Sequence, residues 1–407
     1  MDGNDSGRLG MVFSGGGARG AFQVGVYERL LEDARFREPA VLSGTSAGSI
    51  NAALIAAGKT PAQMRQFWLE IADDPPVKAS AVFFETASWA LLQLIVDEAY
   101  RLITSAAPWR DFVRHVRNHF PPRPGSLAAM LVEYVLTTRF EVTSKFLEGV
   151  REPFLADTSR LRERLADAIG GYVVPSSGPY LAINTVDART GQVVRYVTRK
   201  TPWTRPPNYE VVSAITVDMV LASASIPLLF PAVPIDQYLL WDGGLLVNTP
   251  LAPVVALGAQ RIVTVLVTGL PPAPSPRQFS NFGEAVERTV DCVLENAYNV
   301  DRKLLLERNE TARHRDRNYR EVSLYVPIRP PRDACFDVGS YLYFERSVLD
   351  RMHDAGRHAA EAWLQAGPLI DSLPTPDEEE EDDTLFEPAA RPASNVVTAF
   401  PRPFRTS

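Results

Sequence analysis

Short unbroken apolar runs alternate with stretches of helical periodicity at the start of the chain, and the alternation returns after residue 180. Met11-Val12-Phe13 and Ala40-Val41-Leu42 are too short for helices, and each is followed by a glycine-containing turn, so they predict buried strands. The first leads into a helix to about Leu31, the second into an alanine-rich helix that Gly58 can end. Residues 61–165 read as mainly helical. Strand character comes back at Tyr180–Asn184, Val193–Val197, Tyr238–Trp241 and Ile262–Val267, with a helix-like stretch at Val217–Ser225. Helix (about Phe282–Glu307), strand (Val322–Pro327) and helix (about Tyr343–Leu364) follow a proline-rich hinge at Pro271–Pro276. There is no internal repeat. This alternation predicts an α/β, three-layer fold around a central, mostly parallel sheet.

Two of the predicted turns carry chemistry. Ser14-Gly15-Gly16-Gly17-Ala18-Arg19-Gly20 clusters backbone N–H groups ahead of a helix, an arrangement that attracts negative charge. Gly15 to Gly20 also satisfies the dinucleotide pattern G-x-G-x-x-G. That pattern wants an acid about twenty residues on, at the end of the next strand; here that strand ends in Ser43-Gly44. Arg19 either strengthens the field of the loop or is a surface arginine that braces it by pairing an acid. Gly44-Thr45-Ser46-Ala47-Gly48 matches G-x-S-x-G, the bend that lifts a nucleophilic serine between strand and helix with small neighbours on both sides. Gly58-Lys59-Thr60 resembles the end of a phosphate-binding loop, but Ala53 stands where its first glycine belongs.

A serine nucleophile needs a base. The five histidines, His115, His119, His314, His353 and His358, lie on helical or charged stretches, none in a small-residue turn at a strand end. Asp242 does: it closes Tyr238-Leu239-Leu240-Trp241 and precedes Gly243-Gly244. Apolar surroundings would raise its basicity enough to take the serine proton directly. An Asx-turn aspartate is the plainer alternative.

Composition narrows the classes. Hydrophobic residues at 45% with 22% charged suit a globular protein. The net charge of −7 is concentrated in the last segment, where Asp377 to Asp383 is an unbroken acidic block, so the rest is near neutral. No basic stripe points to nucleic acid. Cys292 and Cys335 give no metal-ligand spacing, and reduced thiols are expected. The apolar stretch Thr86–Val96 is too short to span a bilayer, and Met1–Gly10 lacks the pattern of a secretory signal. A cytoplasmic protein, at most peripheral at membranes, is expected.

The glycine loop with its arginine, the G-x-S-x-G bend, Ala224-Ser225-Ile226-Pro227 and Asp242-Gly243-Gly244 occur in the order that resembles the patatin-like phospholipases, over roughly Arg8 to Gly269. The resemblance implies a Ser46–Asp242 dyad without histidine, an oxyanion hole from Gly15, Gly16 and Gly17 supported by Arg19, and Gly44, Gly48, Gly243 and Gly244 as turn supports. It implies hydrolysis of fatty-acyl esters of phospholipids or other lipids with no metal or organic cofactor, transient membrane contact and no nucleic-acid partner. Expected boundaries are 8–270 for the catalytic domain, with a helical cap insertion at about 61–172. Residues 271–373 would complete the same fold, and 374–407 would be an acidic, proline-rich disordered tail. Trp89 through Trp109 and Phe112 is either a lid or membrane-docking surface or a packed core helix. A soluble carboxylesterase or thioesterase with the same dyad and a non-catalytic lipid- or partner-binding protein are the alternatives.

Overall fold

The computed structural model describes residues 7–75, 77–104, 110, 113–114, 140–269, 279, 282–314, 321–331, 341 and 343–373. Trp109, Phe112, His115, His119, Cys335, the Pro271–Pro276 stretch and the acidic segment from Pro374 lie outside the described residues.

In chain order the elements begin β1 (Leu9–Phe13), α1 (Gly20–Leu31), β2 (Val41–Gly44), α2 (Ala47–Ala56), α3 (Pro61–Asp73), β3 (Lys78–Ala79), α4 (Ala81–Thr104) and α5 (Phe140–Gly149). They continue with β4 (Ala156–Asp157), α6 (Ser159–Ile169), β5 (Tyr180–Asp187), β6 (Val193–Val197), β7 (Tyr209–Val211) and α7 (Val217–Ser223). Last come β8 (Val233–Ile235), β9 (Tyr238–Asp242), α8 (Leu251–Ala256), β10 (Arg261–Val265), α9 (Phe282–His314), β11 (Ser323–Leu324) and α10 (Arg346–Gln365).

The main sheet runs β11-β10-β1-β2-β5-β6-β7. Its strands from β11 to β5 are parallel, β6 turns back against β5, and β9 pairs antiparallel with β5 and β8. All residues of β1, β2 and β10 are buried, which is why they read as continuous apolar runs without alternation. Leu9, Met11 and Phe13 join a core with side chains of α1, α2, α3 and α10. Gly10, on the opposite face of β1, lies against Val254 of α8. The sheet is therefore sandwiched between helical layers, as the element pattern predicts.

The helices approach closely where side chains are absent. A Cβ on Gly25 of α1 would run into the carbonyl of His353, and one on Gly356 of α10 into the carbonyl of Phe22. At that crossing two backbones touch.

The sequence misses the shortest elements. β7, β8 and α8 span three to six residues and carry too few positions for periodicity to register. β3 and β4 form a separate antiparallel pair inside the segment expected to be helical. The strand expected at Val322–Pro327 keeps only Ser323–Leu324 as a named strand beside β10; on its other side the Val326 N–H donates to the Leu369 carbonyl (2.9 Å) and the Asp371 N–H to the Leu324 carbonyl (2.7 Å). No described helix is long and apolar enough to cross a membrane.

Candidate active site

Ser46 sits at the end of β2 with φ 55° and ψ −127°, a conformation sparsely populated by side-chain-bearing residues. The small residues of the motif make it possible. A Cβ on Gly44 would strike the carbonyl of Gly48, and a Cβ on Gly48 that of Phe13. The strain is held from several directions: the Ser46 N–H donates to Ser223 Oγ (3.1 Å), Ser49 Oγ donates to the Ser46 carbonyl (2.6 Å), and Asn184 Nδ2 to the Gly44 carbonyl (2.8 Å). Thr45 Oγ1 donates to the Val247 carbonyl at 2.8 Å, tying the bend to the turn after β9.

Sheet register brings Asp242 to this bend. Ile183 of β5 pairs with Gly44, the last residue of β2, and Thr185, two residues further along β5, pairs with Asp242. β6 occupies the other edge of β5. β2 and β9 thus share one edge, β9 taking over where β2 ends, and the chain leaving β2 meets the end of β9. The Asp242 carboxyl is buried, 4% exposed, and accepts from the Gly244 N–H (2.7 Å) and from the Ser46 hydroxyl. Burial pushes its pKa up to about 7 against the opposing pull of these two hydrogen bonds. Among the described residues no histidine contributes; His314, His353 and His358 lie on α9 and α10.

The glycine loop divides its N–H groups. That of Gly15 donates to the Asn248 carbonyl (3.0 Å), and that of Ala18 to the Tyr341 carbonyl (2.8 Å). The N–H groups of Gly16 and Gly17 have no hydrogen-bond partner among the described residues. Gly17 has φ +52°, and a Cβ there would strike the Tyr341 carbonyl. A Cβ on Gly15 would lie 3.1 Å from Ser46 Cβ, so loop and bend are in contact. Gly243 packs on the Asn184 carbonyl and Gly244 beside Asn248 Oδ1.

Arg19 is buried and turned toward α9. Its guanidinium pairs with Glu287 (2.8 Å) and Asp291 (3.4 Å), donates to the Val267 carbonyl (3.2 Å) and stacks 3.8 Å from the centre of the Tyr341 ring. Tyr341 Oη in turn donates to Asp291 (2.5 Å). The pairing with acids is the one expected of a brace, but the arginine is buried and not at the surface.

Several supports escape sequence reasoning. Ser223 both accepts from the Ser46 N–H and donates to the Asn184 carbonyl (2.6 Å), yet it looks like one small residue among several in Ala222-Ser223-Ala224-Ser225. Asn248 follows Asp242 closely enough to be suspected; Asn184, inside β5, gives no signal. Ser225 is structural: its Oγ donates to the Leu221 carbonyl, and its own carbonyl accepts the Asp242 N–H at 2.9 Å. On α4, Trp89, Leu91, Leu92, Val96 and Tyr100 are exposed.

The arrangement unites a strained serine, a buried carboxyl of raised pKa and two N–H donors. Among solved structures, VipD from Legionella pneumophila is similar at 13% identity, covering 90% of this chain and 68% of that one with a TM-score of 0.39. The type III effector protein ExoU is similar at 14% identity, 88% and 53% coverage and a TM-score of 0.33. ExoU in its complex with SpcU, from the type III secretion system of Pseudomonas aeruginosa, gives 16%, 88% and 52% with a TM-score of 0.27. The chain thus spans about half the length of ExoU. No curated protein matches the chain. Residues 11–255, which hold the glycine loop, the serine bend and Asp242, match the Patatin-like phospholipase family, and the chain belongs to it.

Proposed function

We propose that the protein is a serine lipid acyl hydrolase of phospholipase A or lysophospholipase type, working through a Ser46–Asp242 dyad. The observation that carries this reading is the buried Asp242 carboxyl, of pKa about 7, accepting a hydrogen bond from the hydroxyl of a strained Ser46. A carboxylate of that basicity takes a proton near neutral pH far better than an exposed aspartate. Ser46 Oγ attacks the ester carbonyl as Asp242 takes its proton, giving a tetrahedral oxyanion. The Gly16 and Gly17 N–H groups receive that charge; the Gly15 N–H, committed to Asn248, holds the loop in place. Collapse expels the alcohol of the lipid, which takes the proton back from Asp242, and leaves an acyl-Ser46. Water, deprotonated by Asp242, then releases the fatty acid and restores Ser46. No step requires a metal or organic cofactor.

Membership of a phospholipase family and the exposed aromatic and aliphatic side chains of α4 support transient contact with a lipid surface. The test is hydrolysis of phospholipid vesicles by purified wild type and Ser46→Ala, with products identified by mass. Wild type releases free fatty acid, and Ser46→Ala loses several orders of magnitude in rate. Unimpaired release by Ser46→Ala would overturn the assignment.

A further inference from the structure

The end of the sheet remote from Ser46 holds a cavity of about 510 Å³. Arg8 precedes β1, Gln260 precedes β10 and Arg199 follows β6, which runs antiparallel to β5, so these residues gather where the parallel strands begin. The glycine loop and Ser46 lie where β1 and β2 end, a strand length of ~20 Å away. The cavity is separate from the proposed hydrolytic site.

Its chemistry is one-sided. Arg8, Arg199 and Arg308 line it, with Trp203 and Tyr209, and among the described residues no carboxylate does. Neither Arg8 nor Arg199 has an ion-pair partner among the described residues. The Arg199 guanidinium lies 4.6 Å from the centre of the Tyr180 ring, and stacking of this kind fixes its plane while leaving N–H edges available; that of Arg308 lies 5.4 Å from Trp203. Behind the wall, Arg195 lies 5.3 Å from the Tyr209 ring, and its buried Nε has no hydrogen-bond partner among the described residues. Such a concentration of guanidinium groups is suited to the oxygens of phosphate, which each fork can engage in pairs. The half-exposed Trp203 adds a flat apolar wall, and the volume matches a ligand of cofactor size.

We propose that this cavity is a second binding site, for a phosphate ester carrying a ring or other flat body, held by Arg8 and Arg199 at the phosphate and by Trp203 at the ring. The proposal is independent of the hydrolytic reading. The phosphate can come from a free metabolite or from a lipid headgroup, and two arms separate them. In one, full-length protein is titrated calorimetrically with ADP. In the other, the Ser46→Ala protein is sedimented with phosphatidylcholine vesicles with and without phosphatidylinositol, whose headgroup carries a phosphate ester on a ring. Saturable binding in either arm is expected to weaken about tenfold or more in Arg199→Gln and in Arg8→Gln, with unchanged thermal melting, and to weaken as salt is raised. The arm that responds identifies the source. No saturable binding in either arm, or binding that survives both substitutions, would overturn the proposal.

Discussion

At the scale of residues, the account rests on a serine and an aspartate. The bend around Ser46 is legible in the sequence because the backbone crowding there admits only glycine at 44 and 48. Asp242 is legible by its position in a small-residue turn, but its basicity is a consequence of burial that only the fold supplies. Two predictions follow from that carboxyl. The group must be ionised to act as base, so kcat/KM on a soluble ester is expected to fall about tenfold per pH unit below about 7, and to level off above it. Stability runs the other way. A folded-state pKa raised from 3.8 to about 7 favours folding fully below the unfolded value, and this contribution is lost as pH climbs through the folded one; the change is on the order of 4 kcal/mol. Asp242→Asn, which keeps an acceptor for the Gly244 N–H, is therefore expected to match wild type in urea unfolding near pH 4 and to exceed it at pH 8. Equal gains at both pH values would contradict the burial argument.

At the scale of elements, consecutive βα units bring the glycine loop beside the serine bend, and that much is visible in the spacing of apolar runs. The handover from β2 to β9 along one edge of β5 is not, because it depends on register between strands far apart in the chain, Gly44 with Ile183 and Thr185 with Asp242. Nor is the link from the glycine loop to α9: the sequence shows that Arg19 can pair an acid, but Glu287 and Asp291 lie over 260 residues away. Substituting Arg19→Met removes these pairs while keeping a long side chain. It is expected to lower kcat about tenfold or more with little change in KM, because the loop holds charge that develops only in the transition state. A rise in KM alone would make Arg19 a substrate-binding residue instead. The α1–α10 crossing gives a test of packing without chemistry. Gly25→Ala forces a methyl into the His353 carbonyl, where no rotamer can relieve it, and a loss of about 2 kcal/mol or more in urea unfolding is expected.

For the molecule as a whole, the two ends of one sheet carry different electrostatics. Ser46 and the buried Asp242 occupy one end and an arginine-lined cavity the other. The formal charge of −7 conceals this, because a sequence-wide sum has no spatial resolution. Whether the apolar side chains of α4 are exposed is likewise left open by a pattern count, since an apolar stripe reads the same whether it is covered or not. If that surface meets lipid, Trp89→Ala with Tyr100→Ala is expected to slow hydrolysis of vesicles and to leave hydrolysis of a monomeric short-chain ester unchanged. Equal losses on both substrates would assign these side chains to folding. The dyad itself is tested most directly by mapping, by peptide mass, where a serine-reactive fluorophosphonate attaches to the full-length protein. A single adduct on Ser46, formed more slowly in Asp242→Asn, is the predicted result; an adduct elsewhere, or none on Ser46 in active protein, would contradict it.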